Sequence, residues 1–220
     1  MRYISDEKLI HAFTPSLSPI VTIDEGETVT VHTVDCYCNV LKADNDPWLE
    51  LRKHVPGPNP ATGPIEVKGA MPGDTLAVEI LDIRPIEFGM MNVRPGAMLA
   101  LGDVHALMGD GEVGICGLEC AAEVDLKCHV IHGVCEDWPV VRDAQGCYRV
   151  NCSAENLDAA AYLARVNLLK FLKRRIHTLT NDQLIMLMSL AGDLEIAQIV
   201  DPLVTCRMGI RPGYLPELEF

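Results

Sequence analysis

Hydrophobic and polar residues alternate in two early parts of the chain, at the period of two that is typical of β-strands. Residues 19–35 contain two β-branched alternating runs around Glu25-Gly26-Glu27, a pattern that predicts a β-hairpin. Residues 65–69 and 75–83 form a second pair of runs, separated by Met71-Pro72-Gly73-Asp74, whose Pro-Gly pair suits a tight turn. We therefore expect strands on both sides of each turn.

A proline-rich segment separates these two pairs of runs. Residues 55–64 contain four prolines and two glycines, too many for a helix or a central strand, so we expect an ordered loop or a linker. Further β-rich runs cover residues 112–131 and 138–152, the second with a turn at Asp143-Ala144-Gln145-Gly146. Strand patterns therefore dominate the chain up to residue 152.

The spacing of apolar residues changes to that of a helix after Ser153. This serine is the predicted N-cap of a first helix, with Asn156 in the third position after it. Thr180 or Asn181 is predicted to begin a second helix, which ends near Gly192. The first helix carries apolar residues at helical spacing, namely Leu157, Ala160, Ala161, Ala164, Leu168, Phe171 and Leu172.

Many strands followed by helices favour an α+β fold over a doubly wound α/β sheet. We expect a mainly β architecture, sandwich-like or barrel-like, with C-terminal helices. The chain contains no visible internal repeat or low-complexity segment. We therefore expect a single domain over residues 1–220, β-rich over 15–152 and helical over 153–200.

Charge and hydrophobicity exclude several classes of function. The chain has 18 Lys and Arg against 31 Asp and Glu, a net charge of −13, so we expect it to bind neither nucleic acid nor an anionic membrane surface. The longest apolar run, Leu184 to Ala191, is far shorter than the roughly 20 residues that span a bilayer. The charged N-terminus does not resemble a secretory signal. We expect a soluble protein.

The number and spacing of the cysteines indicate whether the protein works in a reducing or an oxidising compartment. The chain has nine cysteines, an odd number with no C-x-x-C pair, and several lie in apolar, strand-like segments. We expect reduced thiols in a cytoplasmic protein, with a structural zinc cluster as the alternative. Because 49% of the residues are hydrophobic and the mean hydropathy is positive, we also expect a homodimer or a larger homo-oligomer.

The densest group of possible metal ligands is GDVHALMGDGE, residues 102–112. In an extended segment Asp103 and His105 point to the same side, as do Asp110 and Glu112, and the glycines allow both pairs to converge. Imidazole with carboxylates suits zinc or a similar divalent ion, and water bound to such an ion hydrolyses amides or esters. The segment also fits a polar turn between strands, and both interpretations stay open.

Three blocks of sequence resemble the acetamidase/formamidase family, in the order in which the family has them. They are residues 59–83, 102–119 and 187–202. The resemblance implies a mainly β fold with a few helices. It also implies metal-assisted hydrolysis of a short linear amide, of the formamide or acetamide type, to a carboxylate and ammonia.

The resemblance also implies roles for individual residues. Asp103 and His105 occupy the family's D-x-H and are the implied metal ligands. Asp35 matches the acidic residue of an early T-x-D-C block and is a third candidate ligand. Glu112 and Glu119 match the family's acidic positions and are the candidate catalytic residues. The implied cofactor is a divalent ion, zinc in the first place and calcium as the second candidate.

One departure from the family pattern leaves other functions open. Family members have a long stretch between the strand at 75–83 and the G-D-x-H block, with a Gly-Gly-Asn-Met-Asp-like motif, whereas here only Arg84 to Leu101 joins them. A second hypothesis is therefore a non-catalytic relative that binds a metal or a small molecule. A third is a different metal-dependent hydrolase that acts on a cyclic amide.

Overall fold

The computed structural model describes residues 1–43, 46–57, 59–90, 118–199, 203–216 and 218. The chain divides into two compact units. The first contains the described residues up to 90 together with 118–135, and the second contains those from 136 onward. Most of the regular structure is strand, with two long helices in the second unit. The fold class is therefore mainly β and α+β, as the sequence predicts.

The first unit is built around a four-stranded sheet with the strand order β1-β4-β8-β7. Two small sheets accompany it, one pairing β2 with β5 and one pairing β3 with β6. A short helix, α1 (Trp48–Leu51), continues into a 3₁₀ turn at Arg52–His54. The strands of this unit are β1 (Arg2–Ile4), β2 (Leu9–Ile10), β3 (Val21–Ile23), β4 (Thr28–Thr33), β5 (Ala61–Thr62), β6 (Ile65–Val67), β7 (Thr75–Pro85) and β8 (Ala122–Ile131).

Alternation along β4 separates an apolar face of the main sheet from a polar one. Val29 and Val31 are buried in the core of the unit. Thr30 lies between them and points to the opposite face, where its hydroxyl donates to Asp125 Oδ1 at 2.7 Å. The core also contains Ile4, Ile23, Val67, Cys128 and Val130.

The hairpin predicted for residues 19–35 is wrong, although both of its strands exist. β3 pairs in parallel with β6, and β4 pairs with β1 and β8. The turn between them is bound to β8 instead, because Gly26 N–H donates to Cys128 O at 2.9 Å and Glu25 Oε1 accepts from Val130 N–H at 3.0 Å. These long-range bonds direct the two strands into different sheets.

The second unit is a four-stranded antiparallel sheet with the order β11-β12-β10-β9, covered by helices. β9 and β10 form the hairpin predicted around residues 143–146. None of the helices described has the length and hydrophobicity that crossing a membrane requires. The elements are β9 (Val140–Arg142), β10 (Tyr148–Ala154), α2 (Leu157–Lys173), α3 (Asn181–Ala191), β11 (Gly192–Gln198), β12 (Val204–Ile210) and a 3₁₀ turn (Pro212–Tyr214).

The helices begin and end close to the predicted positions, with one correction at the first N-cap. Asn156, not Ser153, caps α2, and its Oδ1 accepts from Ala159 N–H at 2.9 Å. Ser153 belongs to β10, and its hydroxyl lies 2.8 Å from that of Thr205. Thr180 caps α3 as predicted, in a capping box with Gln183.

The predicted order of many strands followed by helices is incomplete. β11 begins directly after α3, within the region 153–200 expected to be helical, and β12 follows it. Both strands complete the sheet against which α2 packs. Leu168, Phe171 and Leu172 of α2 are almost completely buried in the core that this sheet provides.

Candidate active site

Three of the five predicted site residues, Asp103, His105 and Glu112, lie outside the described residues. The described residues therefore include two members of the predicted site, Asp35 and Glu119. Asp35 follows β4, and Glu119 precedes β8. Both belong to the first unit.

Asp35 is a buried carboxylate held by its own loop. It is 5% exposed, and its Oδ1 accepts the backbone N–H groups of Tyr37 at 3.0 Å and of Asn39 at 2.6 Å. Asn39 Oδ1 in turn accepts the backbone N–H of Asp35 at 3.0 Å. Within the described ranges the hydrogen bonds to this carboxylate all fall on Oδ1.

The loop reaches this geometry through two residues in the left-handed region. Cys38 and Asn39 have φ values of 57° and 56°. Asparagine tolerates this conformation better than most residues do, which suits its position in the loop. Burial, followed by the charge of Asp35, raises the pKa of the Cys38 thiol. The thiol therefore stays protonated at neutral pH and is a poor nucleophile.

The proline-rich segment is an ordered loop that is bound to the Asp35 loop. Asn59 N–H donates to Cys36 O at 2.9 Å, and the Cys38 thiol donates to Gly57 O at 3.4 Å. Thr62 anchors the far end of the segment, because its hydroxyl donates to His32 O at 2.7 Å. Of the two predicted alternatives, loop or linker, the described residues of 55–60 form the loop, and Ala61–Thr62 form the short strand β5.

Glu119 is connected to the same region through Met90. The two residues exchange backbone hydrogen bonds, Met90 N–H to Glu119 O at 2.8 Å and Glu119 N–H to Met90 O at 2.9 Å. Met90 is buried and forms a small hydrophobic cluster with Leu41, against which Tyr37 packs. Met90 therefore links the backbone of Glu119 to the cluster that supports the Asp35 loop.

An ion pair that sequence reasoning did not select lies on the polar face of the main sheet. Arg84 of β7 makes two bonds to the Asp125 carboxylate of β8, both 2.7 Å long. Arg84, followed by Thr30, lowers the pKa of Asp125 to about 2. The same carboxylate raises the pKa of Arg84. The pair joins the last part of β7 to β8, and β7 is the strand that leads to Met90.

Sequence reasoning also missed Asn39 and Met90. Asp35 forms an Asx turn, in which Oδ1 accepts the N–H of Tyr37 two residues on, but the bond from Asp35 N–H to Asn39 Oδ1 has no such local signal. The pairing of Met90 with Glu119 had no local signal.

The described cysteines are reduced, and the metal site stays a prediction. Eight cysteines are free thiols, and Cys116 lies outside the described residues. In the part of the chain that the structure describes, no group of three or more His, Cys, Asp or Glu residues is arranged to hold a metal ion.

The model of the acetamidase/formamidase family matches this chain over residues 3–94 and 90–152. The two matched segments overlap at 90–94, in the stretch where the sequence is shorter than the family pattern. A Schizosaccharomyces pombe protein that is provisionally named as a formamidase is 37% identical over 73 residues. That match covers 33% of this chain and only 18% of the yeast protein.

Solved structures give the same likeness over almost the whole chain. An acetamidase from Bacillus halodurans has a TM-score of 0.80 at 27% identity, covering 96% of this chain and 98% of that one. A predicted acetamidase/formamidase from Thermoanaerobacter tengcongensis has a TM-score of 0.78 at 25% identity, covering 96% of both chains. An acetamidase from Yersinia enterocolitica shares the fold, with a TM-score of 0.80 at 20% identity over 98% of this chain and 93% of that one.

Proposed function

The chain belongs to the acetamidase/formamidase family, and we propose that it hydrolyses a short linear amide, of the formamide or acetamide type, to a carboxylate and ammonia. The observation that carries the proposal is the family match over residues 3–152, which includes all five predicted site residues. The buried Asp35 within that match supports it, because its loop holds the carboxylate in one orientation through the N–H groups of Tyr37 and Asn39.

The reaction requires water to add to the amide carbonyl and a proton to reach the leaving nitrogen. We assign the proton transfer to Glu119 or Glu112, since a carboxylate takes a proton from water and returns it to nitrogen in the same cycle. Support for Glu119 comes from its backbone, which is fixed on both sides by Met90. One proton of the water thus leaves with the nitrogen as ammonia, and the carboxylic acid that forms ionises to a carboxylate, its proton being taken up by the ammonia.

We further propose that Asp35, Asp103 and His105 hold a divalent ion, zinc in the first place and calcium as the second candidate. Two carboxylates and an imidazole are a suitable donor set for zinc. The described member of this set fits the role, because Asp35 is a buried carboxylate whose orientation is fixed by backbone N–H groups on Oδ1. When bound, the ion supplies polarisation of the carbonyl and a water of lowered pKa.

We also propose a cytoplasmic homodimer or larger homo-oligomer. The free thiols of the eight described cysteines suit a reducing compartment. Association is supported by β7, an edge strand of the main sheet. Its apolar side chains Leu76, Val78, Ile80 and Ile83 are between 47% and 57% exposed. Light scattering on the purified protein gives the mass that tests this proposal.

The test of function is turnover of formamide, acetamide and a five-membered lactam, measured as ammonia release for the two linear amides and as formation of the ring-opened amino acid for the lactam. We expect turnover of at least one linear amide and none of the lactam. Turnover of the lactam alone would establish the cyclic-amide hypothesis. If the folded protein turns over none of these compounds, the result contradicts the proposed function and favours the non-catalytic hypothesis.

A further inference from the structure

The second unit contains a cavity that no predicted catalytic residue lines. Its volume is about 330 Å³, within the range of roughly 300–1,000 Å³ that is usual for small-molecule sites. It lies between the β9–β10 turn and the segment that follows β12. The residues that decide its chemistry are Arg142, Gln145, Tyr148, Pro212, Leu215 and Leu218.

Arg142 provides the positive charge of this cavity. Its guanidinium carbon lies 5.6 Å from the centre of the Tyr148 ring, which supports the group from one side. In the described residues no carboxylate forms an ion pair with it, and the adjacent Asp143 is paired with Arg149. Five arginines of this unit have acidic partners, namely Arg149, Arg174, Arg175, Arg207 and Arg211. Arg165 of α2 has no described carboxylate partner either, but it does not line the cavity. Arg142 differs from Arg165 because it lines a cavity, so its guanidinium is placed to pair with an anion bound there.

The turn beside Arg142 is rigid and leaves space in front of the guanidinium. Asp143 Oδ1 accepts the backbone N–H groups of Gln145 at 3.0 Å and Cys147 at 2.8 Å. Gly146 has a φ of 80°, and a Cβ built there would lie 3.4 Å from Pro212 Cγ and 3.7 Å from Arg142 Nη2. Glycine therefore keeps open the space between the proline ring and the guanidinium.

The remaining surface of the cavity is mainly apolar. Pro212, Leu215 and Leu218 contribute hydrocarbon, and Gln145 adds an amide beside the charge. A single cation against apolar walls matches an ion with one negative group and an apolar body. A phosphate dianion would need more donors than these residues supply.

We propose that this cavity binds a small carboxylate with an apolar body. The carboxylate pairs with the Arg142 guanidinium, and the apolar part packs against Pro212, Leu215 and Leu218. This site is additional to the amidase function proposed above. Its test is a binding measurement, so the two proposals fail independently.

Benzoate is the probe, and benzyl alcohol is the neutral analogue of the same size. Each is titrated into the full chain labelled at its leucine methyl groups and followed by NMR. We expect benzoate to shift the methyl signals of Leu215 and Leu218 saturably, and benzyl alcohol to shift them far less. We expect Arg142→Gln to weaken benzoate binding by about tenfold or more.

Arg165→Gln is the matched control. Arg165 lies over the Tyr162 ring at 5.1 Å on α2, so it has the same cation–ring contact outside the cavity. This variant is expected to bind benzoate like the wild type. A titration of the wild type at low and high salt measures the charge contribution without any substitution.

Three results would each overturn the proposal. They are benzoate binding unchanged in Arg142→Gln, benzyl alcohol binding as tightly as benzoate, and benzoate leaving the Leu215 and Leu218 methyls unshifted. Thermal melting of the variant verifies that it is folded. If Arg142→Gln is not folded, the salt titration of the wild type decides instead, and benzoate binding that does not weaken at high salt would overturn the proposal.

Discussion

Asp35 and Asn39 hold each other through a reciprocal pair of hydrogen bonds. The backbone N–H of Asn39 donates to Asp35 Oδ1 at 2.6 Å, and the backbone N–H of Asp35 donates to Asn39 Oδ1 at 3.0 Å. The pair closes the loop after β4 and fixes the orientation of the carboxylate. An oriented ligand loses less entropy when it binds a metal or a substrate, so this loop prepares Asp35 for its proposed role.

We predict that Asn39→Ala destabilises the protein by about 1–3 kcal/mol, because it removes one acceptor and places alanine in the left-handed region. It should also lower kcat/KM by about ten- to hundredfold through a less oriented Asp35. Asn39→Gly is the matched control, since glycine accepts the backbone conformation but lacks the side chain. Urea unfolding and amide turnover measure the two effects. Activity loss of equal size in both variants, with a larger loss of stability in Asn39→Ala than in Asn39→Gly, is the expected pattern, because both variants lose the acceptor but only alanine is strained.

Glu119→Gln is predicted to lower kcat by about 10²–10⁴-fold without a change in Tm, because glutamine keeps the size of the side chain but cannot accept a proton. Glu112→Gln is the comparison that decides between the two candidate bases. The steady-state rate of ammonia release from acetamide measures both. Glu119 is excluded as the proton-transfer group if Glu119→Gln retains wild-type kcat.

Asp125→Asn is predicted to change the acid sensitivity of the fold. The pKa of Asp125 is lowered from its ordinary 3.8 to about 2, mainly by Arg84. A depressed pKa in the folded state means that the contribution to stability is present above pH 3.8 and is lost as the pH falls towards 2. We therefore expect the urea midpoint of the wild type to fall more steeply than that of the variant in this pH window.

Asp24→Asn is the control for this pH series, because Asp24 is exposed and pairs only with exposed Lys68 in the residues described. Its urea midpoint should follow that of the wild type through the acid range. Parallel pH profiles for the wild type and Asp125→Asn would contradict the role given to the Arg84–Asp125 pair.

The position of the α2 N-cap gives a further prediction. Asn156→Ala should cost about 0.5–2 kcal/mol of stability, since Ala159 N–H loses its acceptor. Asn156→Asp should restore most of this, because aspartate caps helices as well as asparagine does. Chemical denaturation of both variants checks the assignment. Equal losses for alanine and aspartate would show that the Asn156 side chain is not the cap.

The sequence predicts most local elements of this fold but not their partners. Alternation locates β3, β4 and β7, and Thr180 marks the start of α3. β3 pairs in parallel with β6, and the turn after β3 is bonded to β8 through Gly26 and Glu25, which joins residues about a hundred positions apart. Such contacts leave no periodic signal in the sequence.

The sequence does not predict β11, because its apolar side chains are exposed and a charged side chain is partly buried, the reverse of the usual strand pattern. Leu194 and Ile196 are more than half exposed, whereas Glu195 is partly buried between Arg149 and Arg207. Arg149 and Arg207 lie on other strands, so the local sequence of β11 does not show that Glu195 belongs on the covered face of the sheet. The candidate site was also only partly predictable from the sequence. A sequence motif identifies Asp35. Its hydrogen bonds with Asn39 and the pairing of Met90 with Glu119 exist only once the loops have folded.

The most direct test of the account measures ammonia release and bound metal on the same preparations of the wild type and His105→Ala. The account predicts that the wild type carries stoichiometric metal and releases ammonia from formamide or acetamide. Chelation should abolish this activity and zinc should restore it, while His105→Ala should lose metal and turnover together. Wild-type turnover and metal content in folded His105→Ala would contradict the account.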